Sequence, residues 1–136
     1  MREVFDSFAG FDDFLVYLAL SIAYLVVFIA VYVRVTPYRE IALIREGNMA
    51  ASFSLSGSLL GFIVPLAAAV QHSVSLVDMA IWGVIAMVVQ LLTFVVVKLL
   101  IPSLTQDIPA NKGSAGFFLG SLSLGVGLLN AACMSY

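Results

Sequence analysis

The sequence predicts an all-α membrane protein. One polytopic domain over residues 1–136 carries four transmembrane helices, built as two parallel-orientation repeats of a helical hairpin. Three observations predict it. Of 136 residues, 62% are hydrophobic and 10% charged, with a mean hydropathy of +1.12; soluble domains are about 45–50% apolar and about 25% charged. Four apolar runs each approach the ~20 residues a helix needs to cross a hydrocarbon core ~30 Å thick. The second half also repeats the plan of the first at an offset of about 64 residues.

The first run, Phe14–Val33 (FLVYLALSIAYLVVFIAVYV), is closed by Arg34. Its leader, MREVFDSFAGFDDF, is acidic rather than basic. The run also exceeds the ~7–15 residues of a signal-peptide core, so it reads as a span that is kept. Val4, Phe5, Phe8 and Phe11 recur at roughly helical spacing, which predicts a short interfacial segment on the outer surface. The connection TPYREIALIREGN carries its own helix signals. Thr36 is the predicted N-cap and Pro37 the first helical residue. Gly47 ends this helix in the left-handed conformation, and Asn48 caps the second span. A bridge between spans is the preferred reading; a regulatory or docking helix is the alternative. Gly47–Gln71 is the second span, Met79–Val97 the third, closed by Lys98, and Gly113–Tyr136 the fourth. Each is a helix, because an isolated strand in lipid leaves its backbone unpaired.

Charge sets the sidedness. Arg34, Arg39 and Arg45 lie between spans one and two, and Lys98 and Lys112 flank the connection between three and four; only Arg2 lies elsewhere. Asp6, Asp12, Asp13 and Asp78 fall on the other side. The positive-inside rule then places both connections in the cytoplasm and both termini on the periplasmic, outer side. Tyr38, Trp82 and Tyr136 lie near span ends, where aromatic belts form.

The repeat pairs residues about 14–71 with about 79–136. Arg34 falls on Lys98, Ile44 on Ile108, Ala51 on Ala115, Phe53 on Phe117, Leu55 on Leu119 and Gly61 on Gly125. Each unit has an even number of spans, so the units share one orientation and their pseudo-twofold axis runs along the membrane normal.

Span two carries Ser54, Gly57, Ser58 and Gly61 at helical spacing, and span four the pairs Gly116/Gly120, Ser121/Gly125 and Ser123/Gly127. Lipid tails are as apolar as leucine, so helices in a bilayer associate through close fit and backbone approach, which small residues permit. Spans two and four are therefore expected inside, with one and three outside. A water-filled lining is the alternative. Small residues on more than one side of span four predict a homo-oligomer, most simply a dimer.

Polar residues inside the bilayer are few. Gln90 lies mid-span and Asn130 in span four; Gln90 reads as interhelical glue, with a solute or proton path as the alternative, and for Asn130 the two readings stand level. Pro65 cannot donate to the carbonyl of Gly61 and should kink span two. A neighbouring serine is the expected replacement donor, and a cation held by the freed carbonyl is the alternative. His72 is the sole histidine and Cys133 the sole cysteine, so no metal-ligand cluster or disulfide is expected. There is no HExxH, P-loop or GxSxG motif and no intramembrane carboxylate pair. No basic block points to nucleic acid. No catalytic residue and no cofactor are predicted.

Three blocks carry a family resemblance: NMAASFSLSGSLLGFIVP (Asn48–Pro65), WGVIAMVVQLL (Trp82–Leu92) and NAACMSY (Asn130–Tyr136). Together they resemble the YjfL family of small bacterial inner-membrane proteins, along nearly the whole chain. The resemblance implies a duplicated four-helix protein of the bacterial inner membrane, with no established substrate or catalytic residue. It also implies an accessory role in membrane stress. The reading is thus a non-enzymatic, oligomeric inner-membrane protein whose partners are the bilayer, its own copies and a further membrane or cytosolic protein. A small-solute or ion pore lined by spans two and four is the alternative.

Overall fold

The computed structural model describes residues 2–7 and 9–134. Its elements are α1 (Arg2–Ser7), α2 (Phe11–Val35), α3 (Glu40–Arg45), α4 (Met49–His72), α5 (Leu76–Leu100), α6 (Leu104–Asp107) and α7 (Gly113–Cys133). No strand occurs among the described residues. Four helices, α2, α4, α5 and α7, are long and apolar enough to cross a membrane. Phe8 and Tyr136, and the side chains of Phe5 and Asp6, lie outside the described residues, so the interfacial leader and the terminal aromatic anchor are seen only in part.

The helix ends follow local chemistry. Gly47 has φ +85°, and the Asn48 amide reaches back to the Leu43 carbonyl at 2.9 Å; this closes α3 in a Schellman turn that needs a residue without Cβ. At the start of α5 the Ser75 hydroxyl accepts from the Asp78 amide at 3.1 Å, and the Asp78 carboxylate accepts from the Val74 amide at 3.1 Å. This is a reciprocal cap. The expected cap at Thr36 is not made. Thr36 instead closes α2, its amide donating to the Tyr32 carbonyl, and α3 begins only at Glu40. Pro37 therefore lies in the bend between the helices: a proline disfavours helical backbone in the residue before it, which ends α2.

α4 and α7 make the most extensive contact; α5 packs against both, α2 leans on α4 and α5, and α3 lies on α4. Aromatic rings join the periphery to the centre. Phe28 of α2 stacks on Phe62 of α4 at 4.5 Å, and Tyr32 meets Phe94 of α5 edge-on at 5.8 Å. The Tyr24 hydroxyl donates to the Ala80 carbonyl of α5, and Gly83 leaves room for the Tyr24 ring. Beyond Phe28 and Tyr32, α2 turns residues such as Leu18, Ile22 and Val26 outward. That face suits acyl chains.

The two connections meet at one end of the bundle. The Asn48 amide group donates to the carbonyls of Ile108 and Pro109 at 3.0 and 3.2 Å, while its oxygen accepts from the Ala51 amide at 2.8 Å. Asn111, at φ 60°, accepts from the Ala50 amide at 3.1 Å. Both connections thus cap the first turn of α4. Asn48→Ala is expected to cost about 1–3 kcal/mol in equilibrium unfolding from mixed micelles, since it removes a cap and strands two carbonyls. Asn48→Asp, which caps but cannot donate, should recover only part. An alanine variant as stable as the parent would contradict this.

Candidate functional site at the seam of α4 and α7

The seam is built from backbone. A Cβ on Gly57 would overlap the main chain of Gly120, one on Gly61 that of Ser123, one on Gly116 that of Ala50, one on Gly120 that of Phe53, and one on Gly127 that of Gly61. In each case a carbonyl oxygen lies where the side chain would be. The glycine hydrogen on that side therefore points at a carbonyl, a Cα–H···O contact of about 0.5–1 kcal/mol. Contacts advance together along both helices, from Ala50 with Gly116 to Gly61 with Gly127, so α4 and α7 run parallel.

Gly125 does not join this set: nothing lies within 4 Å of a Cβ built there. It sits two residues from both Ser123 and Gly127, about 200° around the helix, on the side away from α4. Ser121, one turn earlier on that side, is exposed. Of the glycines of α7 named from the sequence, Gly116, Gly120 and Gly127 thus lie in the seam and Gly125 on another side of the helix.

Hydroxyls fill the remaining polar positions. Ser54 donates to the Ala51 carbonyl at 3.0 Å. Ser58 pairs with the Tyr32 hydroxyl at 2.9 Å and approaches the Ser123 hydroxyl at 3.4 Å. These link α2, α4 and α7 within the buried interior.

Pro65 and Gln90 form one unit. Pro65 has no N–H for the Gly61 carbonyl, and the Gln90 amide supplies that bond from α5 at 3.0 Å. The second N–H of the same group donates to the Ser123 carbonyl at 3.2 Å. Both partners are acceptors, which fixes the orientation of the amide. The donor is therefore Gln90 rather than the expected serine. Within the spans α5 and α7, Oε1 of Gln90 and Nδ2 of Asn130 are buried without a hydrogen-bond partner among the described residues.

A second polar cluster, at the basic end, escaped sequence reasoning. Glu40 is only 1% exposed and Tyr38 7%. The Tyr38 hydroxyl and both Glu40 carboxyl oxygens lack a hydrogen-bond partner among the described residues. Tyr38 is thus not in an aromatic belt. Burial pushes the Glu40 carboxyl up to about 7, offset a little by the Thr36 hydroxyl. Burial also raises the Tyr38 phenol, and the charge of Glu40 raises it further. A glutamate directly after an arginine reads in sequence as a solvated face; only the docking of α3 on α4 buries it. Among the described residues no group of three or more His, Cys, Asp or Glu could hold a metal ion.

Gln90→Leu should cost about 1–3 kcal/mol, because it leaves the Gly61 carbonyl unsatisfied. Pro65→Ala restores a backbone N–H for that carbonyl, so the cost of Gln90→Leu should shrink by about 0.5–2 kcal/mol in the Pro65→Ala background. Unfolding of the four proteins of this cycle checks it, and strictly additive losses would contradict the pairing.

Comparison with known proteins places the chain in a family. The family model described as Domain of Unknown Function (DUF350) matches residues 6–134. The chain is 39% identical over 134 residues to the UPF0719 inner membrane protein YjfL of Escherichia coli K12, covering 98% of this chain and 99% of that protein. It is 30% identical over 122 residues to the UPF0719 transmembrane protein YshE of Bacillus subtilis, covering 85% and 88%. No solved structure gives a significant match. The chain belongs to the DUF350 family, whose members here carry the UPF0719 name, and is an integral inner-membrane protein with four transmembrane helices.

Proposed function

We propose that the protein is a non-enzymatic, homo-oligomeric component of the inner membrane, working through assembly and partner binding as an accessory to membrane stress. The stress role rests on the family resemblance alone. Assembly rests on one observation: α7 spends one small-residue side on α4 and leaves on the other an exposed Ser121 and a half-buried Gly125 with open space where its side chain would be. A glycine costs about 1 kcal/mol in a helix; where no neighbour in the same chain gains from it, a second copy can. A shallow groove of about 190 Å³ beside this side, bordered by Ser56, Gly57, Gly120 and Ser121, offers a helix close approach.

The duplicated hairpin belongs to the same proposal. Phe53 and Phe117, 64 residues apart, meet edge-on at 5.8 Å. These two are equivalent residues at that offset, and a contact between equivalents is what a twofold axis along the seam requires; Gly57 with Gly120 and Ser58 with Ser123 lie one residue off that register, 63 and 65 apart. The basic end of the bundle is cytoplasmic in this reading and the termini are periplasmic.

A pore is the competing reading. Backbone contact between α4 and α7 supports packing over lining, so a pore would have to form between copies. In lipid nanodiscs the protein should have a mass above that of one chain, and Gly125→Leu should shift it toward the monomer with unfolding changed by less than ~1 kcal/mol. Liposomes carrying the parent should show no ion flux. A parent that is monomeric at every protein-to-lipid ratio overturns assembly. Flux that Gly125→Leu abolishes would instead establish the pore.

A further inference from the structure

Glu40 is a buried carboxyl that neither the seam nor the assembly face uses. No cation lies within salt-bridge distance of it among the described residues, where Lys112 pairs with Asp107 at 3.3 Å. Neither of its oxygens accepts a hydrogen bond of ordinary geometry there, and the nearby Thr36 hydroxyl favours the ionised form only slightly. The buried groups around it carry no positive charge. α2 contributes the Tyr32 phenol, already committed to Ser58. The bend before α3 contributes Tyr38 and Thr36, whose hydroxyl lies 3.4 Å from the Val33 and Tyr38 carbonyls. α4, against which α3 packs, carries no charged residue in its first five turns. The charged residues of α3 and its flanks, Arg39, Arg45 and Glu46, are exposed, as is Arg34 at the end of α2. An ionised carboxylate in such a place costs several kcal/mol unless it is paired; a protonated one costs far less. Glu40 also borders an open groove of about 600 Å³ beside α3, shared with Arg39, Arg45 and Glu46, which gives solvent protons a route.

We propose that Glu40 is a proton-binding site, and that its bound proton holds α3 against the bundle at the basic end. Losing the proton puts an unpaired charge under α3. The helix then lifts, carries the carboxylate to water and uncovers the first turns of α4. The protein thereby has two forms of one end, chosen by the pH on that side of the membrane.

The sign follows from linkage. Docked, the carboxyl titrates at about 7; released, it returns to the ordinary 4.5. The extra stability of the docked form is complete below about pH 4.5, falls as pH rises, and levels off above about pH 7. Within that window the opening equilibrium of α3 should rise by up to about tenfold per pH unit.

The test is hydrogen exchange of the amides of Leu43–Arg45, the bonded amides of α3, in the full-length protein in nanodiscs, corrected for the intrinsic pH dependence of exchange. The parent should lose protection between about pH 4.5 and 7, by on the order of a hundredfold in all. Glu40→Gln, a fixed mimic of the protonated carboxyl, should stay protected throughout. Glu40→Leu serves as a second neutral variant should the glutamine fail to fold. The infrared spectrum of the parent at pH 6 should contain a protonated carboxyl band that both variants lack. Protection independent of pH in the parent, or the same pH dependence in a neutral variant, overturns the proposal. So does the absence of that band, since an ionised Glu40 that stays docked would require a bound cation instead.

Discussion

The parallel backbone contact between α4 and α7 is the constraint on which the remaining structure depends. A bilayer offers no hydrophobic gain for bringing two leucine-faced helices together. Stability must come from contacts that lipid cannot match, and those need main chains close enough for carbonyls to meet Cα hydrogens. Gly57, Gly61, Gly116, Gly120 and Gly127 permit this by having nothing to move aside. Because each would place a Cβ on a neighbouring backbone, the register of α7 on α4 is set over about three turns. α5 then fills the groove above the seam, and α2 attaches through Phe28, Tyr32 and Tyr24.

Close approach creates a difficulty that the sequence also answers. Pro65 leaves a carbonyl unsatisfied in the middle of the bilayer, where no water can reach it. The Gln90 amide reaches both that carbonyl and the Ser123 carbonyl of α7. One side chain thereby ties three helices and removes the polar cost of the proline. A leucine at position 90, buried between the same helices, would lose this tie.

Much of this was legible in the residues, and the limits have physical causes. The spans follow from hydropathy, because an apolar run of that length has one stable form in lipid. Gly47 and Asn48 announce their turn and cap through local chemistry. Which of the small residues of α7 face α4 was not legible, because spacing alone does not say which side of a helix the partner takes; Gly125 faces elsewhere. The Gln90 bond joins residues 29 apart in sequence, so only packing could reveal it. Thr36–Pro37 looks like a helix start, yet α2 competes for Thr36 and wins. Glu40 and Tyr38 lie in a charged connection whose depth is decided by how α3 docks, a tertiary matter with no local signal.

The contact between α4 and α7 can be measured by cross-linking. The hydroxyls of Ser58 and Ser123 lie 3.4 Å apart, so cysteines at both positions, in a Cys133→Ser background, are placed to form a disulfide with little backbone movement. Mild oxidation in native membranes should consume both thiols within one chain and leave the mass of a monomer on a denaturing gel. Thiols that stay free, or that link only between chains, would mean that these two helices do not meet along their glycines.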